Sequence, residues 1–222
     1  MKALIFDFDG LIIDTEMPDY LSWQEIYRDH GVELPLDLWA SIVGGTAASD
    51  FDPYNYLEEL VGEPIDREGI WIKRRKRDID LIVKQPILPG VIDYIQDAGR
   101  LGLKLAIASS SPESWVVGHL TRLDLIGHFD CICTADDVTK TKPDPALLLA
   151  VLSDLDITAS DCLMFEDSPN GITAANRAKI FCVCIPNELT VQLDLDHAGL
   201  KLNSLADISL LDLIKKVEIL NI

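Results

Sequence analysis

The chain has 222 residues, 48% of them hydrophobic, enough to bury one large core or two modest ones. Its 37 acidic residues against 19 basic ones give a formal charge of −18, which argues against nucleic acid, an anionic membrane or another polyanion as a bulk partner. No window approaches the roughly 18 uninterrupted apolar residues of a membrane span, and Asp7 breaks the apolar stretch after Met1-Lys2 too early for a secretory segment, so a cytoplasmic location is expected; a monomer is the expected assembly.

In chain order, residues 3–6 form an apolar run suited to a strand covered on both faces. Residues 15–85 then read as consecutive helices, at 20–30, 36–43, 54–61 and 67–83, with breaks at Gly31 and Gly44-Gly45. The stretch closes at Gln85-Pro86 and Pro89-Gly90. Beyond it, helical patterns at 90–100, 112–123, 144–154 and 168–178 alternate with apolar runs at 103–108, 131–134, 162–165 and 180–185. Residues 200–202 suggest a short edge strand and 210–217 a closing helix. At Ser111-Pro112, Asp144-Pro145 and Ser168-Pro169 a polar cap precedes a proline expected at the first helical position.

This order predicts an α/β fold, a doubly wound, Rossmann-like parallel sheet carrying an inserted all-helical domain. The core is expected to span 1–14 and 86–222 and the insert 15–85, placed over the sheet edge as a cap. Five cysteines, Cys131, Cys133, Cys162, Cys182 and Cys184, fall inside the apolar runs. Their two Cys-x-Cys pairs read as reduced core residues, because zinc sites need wider spacing and turn residues.

Polar residues gather where the strands end: Asp7 and Asp9 after the first, Ser109, Ser110 and Ser111 after the second, Lys142 in the loop after the third, Glu166 and Asp167 after the fourth. In a parallel sheet those carboxyl ends share one edge, where ligands of open α/β proteins bind. Asp7, Asp9, Glu166 and Asp167 cannot all stay ionised at close range without a counter-cation, and an all-oxygen ligand set favours Mg²⁺. Such an ion recruits a substrate phosphate oxygen, while Lys142 and the hydroxyls of Ser109 and Ser110 hold the others. Asp7 is then placed to attack phosphorus, giving an aspartyl-phosphate, and Asp9 to protonate the leaving alcohol and later deprotonate water. Asp14 and Glu16 read instead as a helix cap and a first-turn charge.

Asp7-Phe8-Asp9-Gly10, Ser109, Lys142-Pro143 and Glu166-Asp167-Ser168, in that order and with a helical insert after the first, resemble the four motifs of the haloacid dehalogenase-like hydrolase superfamily. The resemblance spans essentially the whole chain and is nearest to β-phosphoglucomutase-like and phosphoglycolate-phosphatase-like members. It implies Asp7 as nucleophile, Asp9 as acid/base, Ser109 and Lys142 as phosphate holders, and Mg²⁺ on Asp7, the Asp9 carbonyl, Asp167 and Glu166. A mutase of this kind carries a cap histidine where this chain has Asp19, and a cap arginine shortly after a glycine where this chain has Ala47, Ala48 and Ser49 after Gly44-Gly45-Thr46.

The expected activity is therefore hydrolysis of a small phosphorylated metabolite such as a sugar phosphate. A phosphosugar mutase is the alternative, and a non-turnover phospho-accepting module a further one. In the basic run at 73–77, Lys76 is the first candidate to reach substrate under the cap, ahead of Arg75. Tyr20, Trp23 and Trp71 could line that pocket but fit the cap's core better. His30, His119, His128 and His197 show no ligand-like grouping, and neither a dinucleotide fingerprint nor a P-loop is present.

Overall fold

The computed structural model describes residues 1–40 and 51–220. The predicted end of the second helix at Val43, the Gly44-Gly45 break and Ala47, Ala48 and Ser49 lie outside the described residues. Among those described, six strands form one all-parallel sheet: β1 (Ala3–Phe6), β2 (Lys104–Ala108), β3 (Cys131–Cys133), β4 (Cys162–Glu166), β5 (Phe181–Cys184) and β6 (Leu200–Lys201). The order β3-β2-β1-β4-β5-β6 runs outward from β1 in both directions, so the chain reverses its sense of winding beside β1. A crevice at the carboxyl ends of β1 and β4 follows from that reversal.

Because successive residues of a strand face opposite sides, the sheet carries two cores. Phe6, Phe165 and Val183 face α5 (Val91–Leu101), α6 (Glu113–Arg122) and α9 (Leu210–Leu220), through Tyr94, Leu120 and Leu213. Ile5, Met164 and Cys182 face α7 (Ala146–Leu155) and α8 (Pro169–Ala178), through Val151 and Ile172. Burying a side chain of this size contributes roughly 1.5–3 kcal/mol, which is why β1, with no exposed residue, anchors the segment that follows it. All five cysteines are free and buried. No described helix is long and apolar enough to cross a membrane.

Between β1 and β2 the insert contains α1 (Glu16–Asp29), α2 (Leu36–Ala40), α3 (Pro53–Val61) and α4 (Arg67–Ile82). It has its own core of Trp23, Tyr27, Trp39, Leu57 and Ile70, joined by Leu189 from the loop after β5. Tyr20 and Trp23 are thus core residues of the insert, whereas Trp71 is 56% exposed.

At several helix starts the observed cap differs from the one expected. α1 begins at Glu16 because the Asp14 carboxylate accepts the Glu16 and Met17 N–H groups, so the capping reading of Asp14 holds. α8 begins at Pro169 as predicted, with Ser168 Oγ accepting the Gly171 N–H. In α6 and α7, however, the prolines at 112 and 145 occupy the cap position and the helices start one residue later. No serine caps α6, since the Ser111 hydroxyl is engaged elsewhere.

Candidate active site

The segment after β1 keeps pairing with β4: the Asp7 N–H donates to the Phe165 carbonyl at 2.9 Å, which carries Asp7 to the sheet's carboxyl edge. Gly10 then turns the chain at φ +75°, a left-handed conformation favouring glycine. A Cβ there would stand 2.5 Å from Asp167 Oδ2, so glycine also lets this turn lie against the end of β4.

Three buried carboxylates meet at that edge. Oxygens of Asp7, Glu166 and Asp167 lie within 4.8 Å of one another. Lys142 Nζ reaches Asp7 Oδ1 at 2.5 Å and Glu166 Oε1 at 2.7 Å. Glu166 is fully used: its Oε2 accepts from the Asp167 N–H, the Ser168 N–H and the Ser168 hydroxyl at 2.7, 2.7 and 2.9 Å. Asp167 Oδ2 accepts from Asn187 Nδ2 at 2.7 Å.

Electrostatics follow from this crowding. Burial, with Glu166 and Asp9 adding to it and Lys142 opposing it, lifts Asp7 to about 7. Asp167 is raised well above the carboxylate range, by burial first and then by Glu166, Asp7 and Glu16. Burial works against the Lys142 charge, but Asp7 and Glu166 outweigh it and hold the ammonium above its ordinary range. One cation among three buried carboxylates leaves excess negative charge, and an oxygen-only donor set of this kind fits Mg²⁺.

Asp9 faces the other way from this cluster. Its Oδ2 accepts from the Ser111 hydroxyl at 2.6 Å and, more loosely, from Ser109 at 3.5 Å, and its Oδ1 accepts from Trp115 Nε1 at 2.9 Å. Ser109 is buried and its Oγ accepts the Ser111 N–H at 3.0 Å, while Ser110 is exposed at the rim.

Two recesses meet along Asp9, Glu16 and Ser111. One, of about 250 Å³, holds Asp7, Lys142, Glu166, Asp167 and Ser110. The other, of about 270 Å³, lies under the insert, lined by Thr15, Asp19, Arg74, Arg75, Asp78 and Trp115. A larger cavity of about 690 Å³, near Met1, Cys162 and Phe181, sits at the opposite ends of the strands, away from the carboxylates.

In the recess under the insert, Arg74 pairs with Asp19 and lies 5.1 Å from the Trp23 ring centroid. Arg75 pairs with Asp78 at 3.3 Å and lies 5.2 Å from the Trp115 centroid. Burial, with Asp19 adding to it, lifts Asp78 to about 6. Glu16 reaches about 8, by burial and then by Asp9, Asp19, Asp7 and Asp14. Thr15 Oγ1 and Asp78 Oδ1 are buried in residues lining this recess and have no hydrogen-bond partner among the described residues.

Asp7, Asp9, Ser109, Ser110, Lys142, Glu166 and Asp167, the residues expected from the sequence, are brought to one edge. Lys76 is corrected: it is exposed and lines neither recess, because the face of α4 turned to the core carries Arg74, Arg75 and Asp78. Arg74, Trp115 and Asn187 were missed. Asn187 was findable, since the loop after β5 ends at the same edge as the others; nothing in the sequence marks Trp115.

A family model described as haloacid dehalogenase-like hydrolase matches residues 4–185. YhcW of Bacillus subtilis (strain 168), named as a candidate phosphatase, is 43% identical over 210 residues, covering 95% of this chain and 94% of that protein. The phosphorylated carbohydrates phosphatase of Thermotoga maritima is 31% identical over 192 residues, covering 81% and 82%. Among solved structures, a candidate β-phosphoglucomutase from Thermotoga maritima superimposes with a TM-score of 0.77 at 26% identity, covering 98% of this chain and 100% of that one. With Asp7, Lys142, Glu166 and Asp167 converging on the edge that these relatives share in fold, the chain belongs to the haloacid dehalogenase-like hydrolase family, among its β-phosphoglucomutase-like and phosphatase-like members.

Proposed function

We propose that the chain is a Mg²⁺-dependent phosphomonoester hydrolase acting on a small polyhydroxylated monophosphate through an aspartyl-phosphate. The observation that carries this reading is the Asp7, Lys142, Glu166 and Asp167 cluster, with Asp9 beside it at the mouth of a second, polar recess. Asp7, Asp167 and the Asp9 carbonyl would hold Mg²⁺, which when bound neutralises charge on the phosphoryl group. Glu166, with both oxygens already accepting hydrogen bonds, serves to hold Lys142 and the Asp167 loop rather than the ion.

An Asp7 carboxylate oxygen attacks phosphorus as the bond to the leaving oxygen breaks, and Asp9 gives that oxygen its proton. Water then attacks the aspartyl-phosphate, Asp9 takes its proton, and inorganic phosphate departs with Asp7 restored. Lys142, Ser109 and Ser110 hold the non-bridging oxygens.

Recess chemistry supports the substrate class. Arg74 and Arg75 are each paired with a carboxylate, and residues 41–50 contain no Lys, Arg or His that could grip a second phosphate. Thr15 Oγ1, Asp78 Oδ1 and Arg74 Nε, in residues that all line this recess, have no hydrogen-bond partner among the described residues, and together they suit the hydroxyls of a polyol. Both features favour a monophosphate over the two-phosphate intermediate a mutase must hold, and the relative named for phosphorylated carbohydrates agrees. The test is release of inorganic phosphate from an aryl phosphate and a panel of polyol monophosphates, with Mg²⁺ or with chelator. Turnover of the monophosphates that chelator abolishes is expected; stoichiometric phosphorylation without turnover would instead mean a phospho-accepting module.

A further inference from the structure

Asp9 is held on both oxygens, with Ser109 also reaching Oδ2 at 3.5 Å and Trp115 alone reaching Oδ1. Ser111 contributes its hydroxyl to Oδ2 at 2.6 Å and Trp115 its indole N–H to Oδ1 at 2.9 Å. Two donors on two oxygens fix the plane of a carboxylate, whereas one leaves it free to rotate about its own bond. Trp115 stands in the first turn of α6, on the core, and is only half-buried. Its ring is steadied by two neighbours: His119, one helical turn on, at 4.5 Å between centroids, and the Arg75 guanidinium at 5.2 Å. Arg75 belongs to α4, so this contact crosses from the insert to the core and exists only while the insert lies against it.

We infer that Trp115 is a positioning residue: its indole N–H aims the Asp9 carboxylate, and Arg75 stacked on its ring makes that aim depend on the insert being closed. The inference rests on the reading of Asp9 as proton donor. With the insert open, the indole loses its cap, regains rotamer freedom and leaves Asp9 tethered through Oδ2 alone, by Ser111 and more loosely Ser109. Proton delivery to the leaving oxygen is thereby reserved for the closed enzyme, in which the substrate's alcohol part is already enclosed.

The test is Trp115→Phe, which keeps an aromatic ring for Arg75 but removes the donor. Release of the leaving group in a single turnover, as Asp7 is phosphorylated, is measured on p-nitrophenyl phosphate, whose leaving group needs no proton, and on the best alkyl monophosphate of the panel; the water step that follows uses Asp9 for both substrates and is not compared. Losing the donor that aims the general acid should slow alkyl release in the first turnover roughly 10- to 100-fold, with aryl release slowed clearly less. A variant that is merely destabilised loses both alike, so equal losses, or no loss, overturn the inference. Arg75→Gln should show the same alkyl-selective loss, and the double variant should lose little more than Trp115→Phe alone. Additive losses on the alkyl substrate would overturn the coupling to the insert. Asp9→Asn is assayed alongside in the same first turnover: if it spares neither leaving group more than the other, the proton-donor reading itself fails, whereas selectivity in Asp9→Asn without selectivity in Trp115→Phe removes this inference alone.

Discussion

Gly171 and Glu166 touch so closely that a Cβ on the glycine would lie 1.7 Å from Glu166 Oε1. That oxygen is the one Lys142 grips, so the first turn of α8 and the buried ammonium share one carboxylate. Gly171→Ala must push Glu166 aside and release Lys142. Overpacking of this kind costs roughly 1–3 kcal/mol, read as a lower urea midpoint, with turnover falling together with stability. Unchanged midpoint and turnover would mean that Glu166 has another resting place.

Asp167 is a carboxyl held where ionisation is disfavoured by burial and by Glu166 and Asp7. Asp167→Asn removes that conflict and keeps an oxygen for the Asn187 amide. Metal-free protein at neutral pH should gain ~1 kcal/mol, while Mg²⁺-dependent turnover is lost. A loss of stability would show that the ionised form is compensated after all.

Stability should fall with rising pH through Asp7 and Glu16 as well. For Asp7 the folded pKa, about 7, exceeds the ordinary 3.8, and for Glu16 about 8 exceeds 4.5, so the native state binds more protons than the unfolded chain in between. Their contribution is full below the ordinary values and is lost as pH rises through 7 and 8. A cation on Asp7 and Asp167 competes with those protons. The rise in Tm on adding Mg²⁺ should therefore be larger at high pH than at low pH; a pH-independent rise would contradict the assignment of these carboxylates to the ion.

Within the basic run, position on the helix decides the effect. Arg74→Ala strips a guanidinium from Trp23 and leaves Asp19 unpaired, for a loss of about 1–2 kcal/mol and a raised KM. Lys76→Ala, on the exposed side, should change neither midpoint nor KM beyond about twofold, a surface substitution of the ordinary kind. Similar effects from both would mean that the insert sits differently on the core in solution.

The strands were legible because a fully covered strand leaves no room for polar residues, and β1, β4 and β5 are nearly unbroken apolar runs. The site was legible for a related reason: carboxylates directly after such runs have few bland uses. What escaped is where local patterns compete. The apolar rhythm of α1 starts near Tyr20, but Asp14 caps the helix earlier, and Pro18 sits in a first turn where its missing N–H costs nothing. In α4 the isoleucines disagree, Ile70 and Ile82 being buried while Ile72 and Ile79 are exposed. That mixed stripe hid the helix's orientation and with it the choice of Arg74 and Arg75 over Lys76. Trp115 could not be read from sequence, since its partners Asp9 and Arg75 are 106 and 40 residues away.

Leu189 completes the insert's core although it belongs to the loop after β5, two residues beyond the Asn187 that holds Asp167. The helical segment therefore cannot be exchanged as a free-standing module. Any transplanted substitute must bring an apolar socket for that leucine; otherwise a greasy side chain would be bared beside the acidic cluster, and chimeras built from related enzymes would clump before their specificity could be compared.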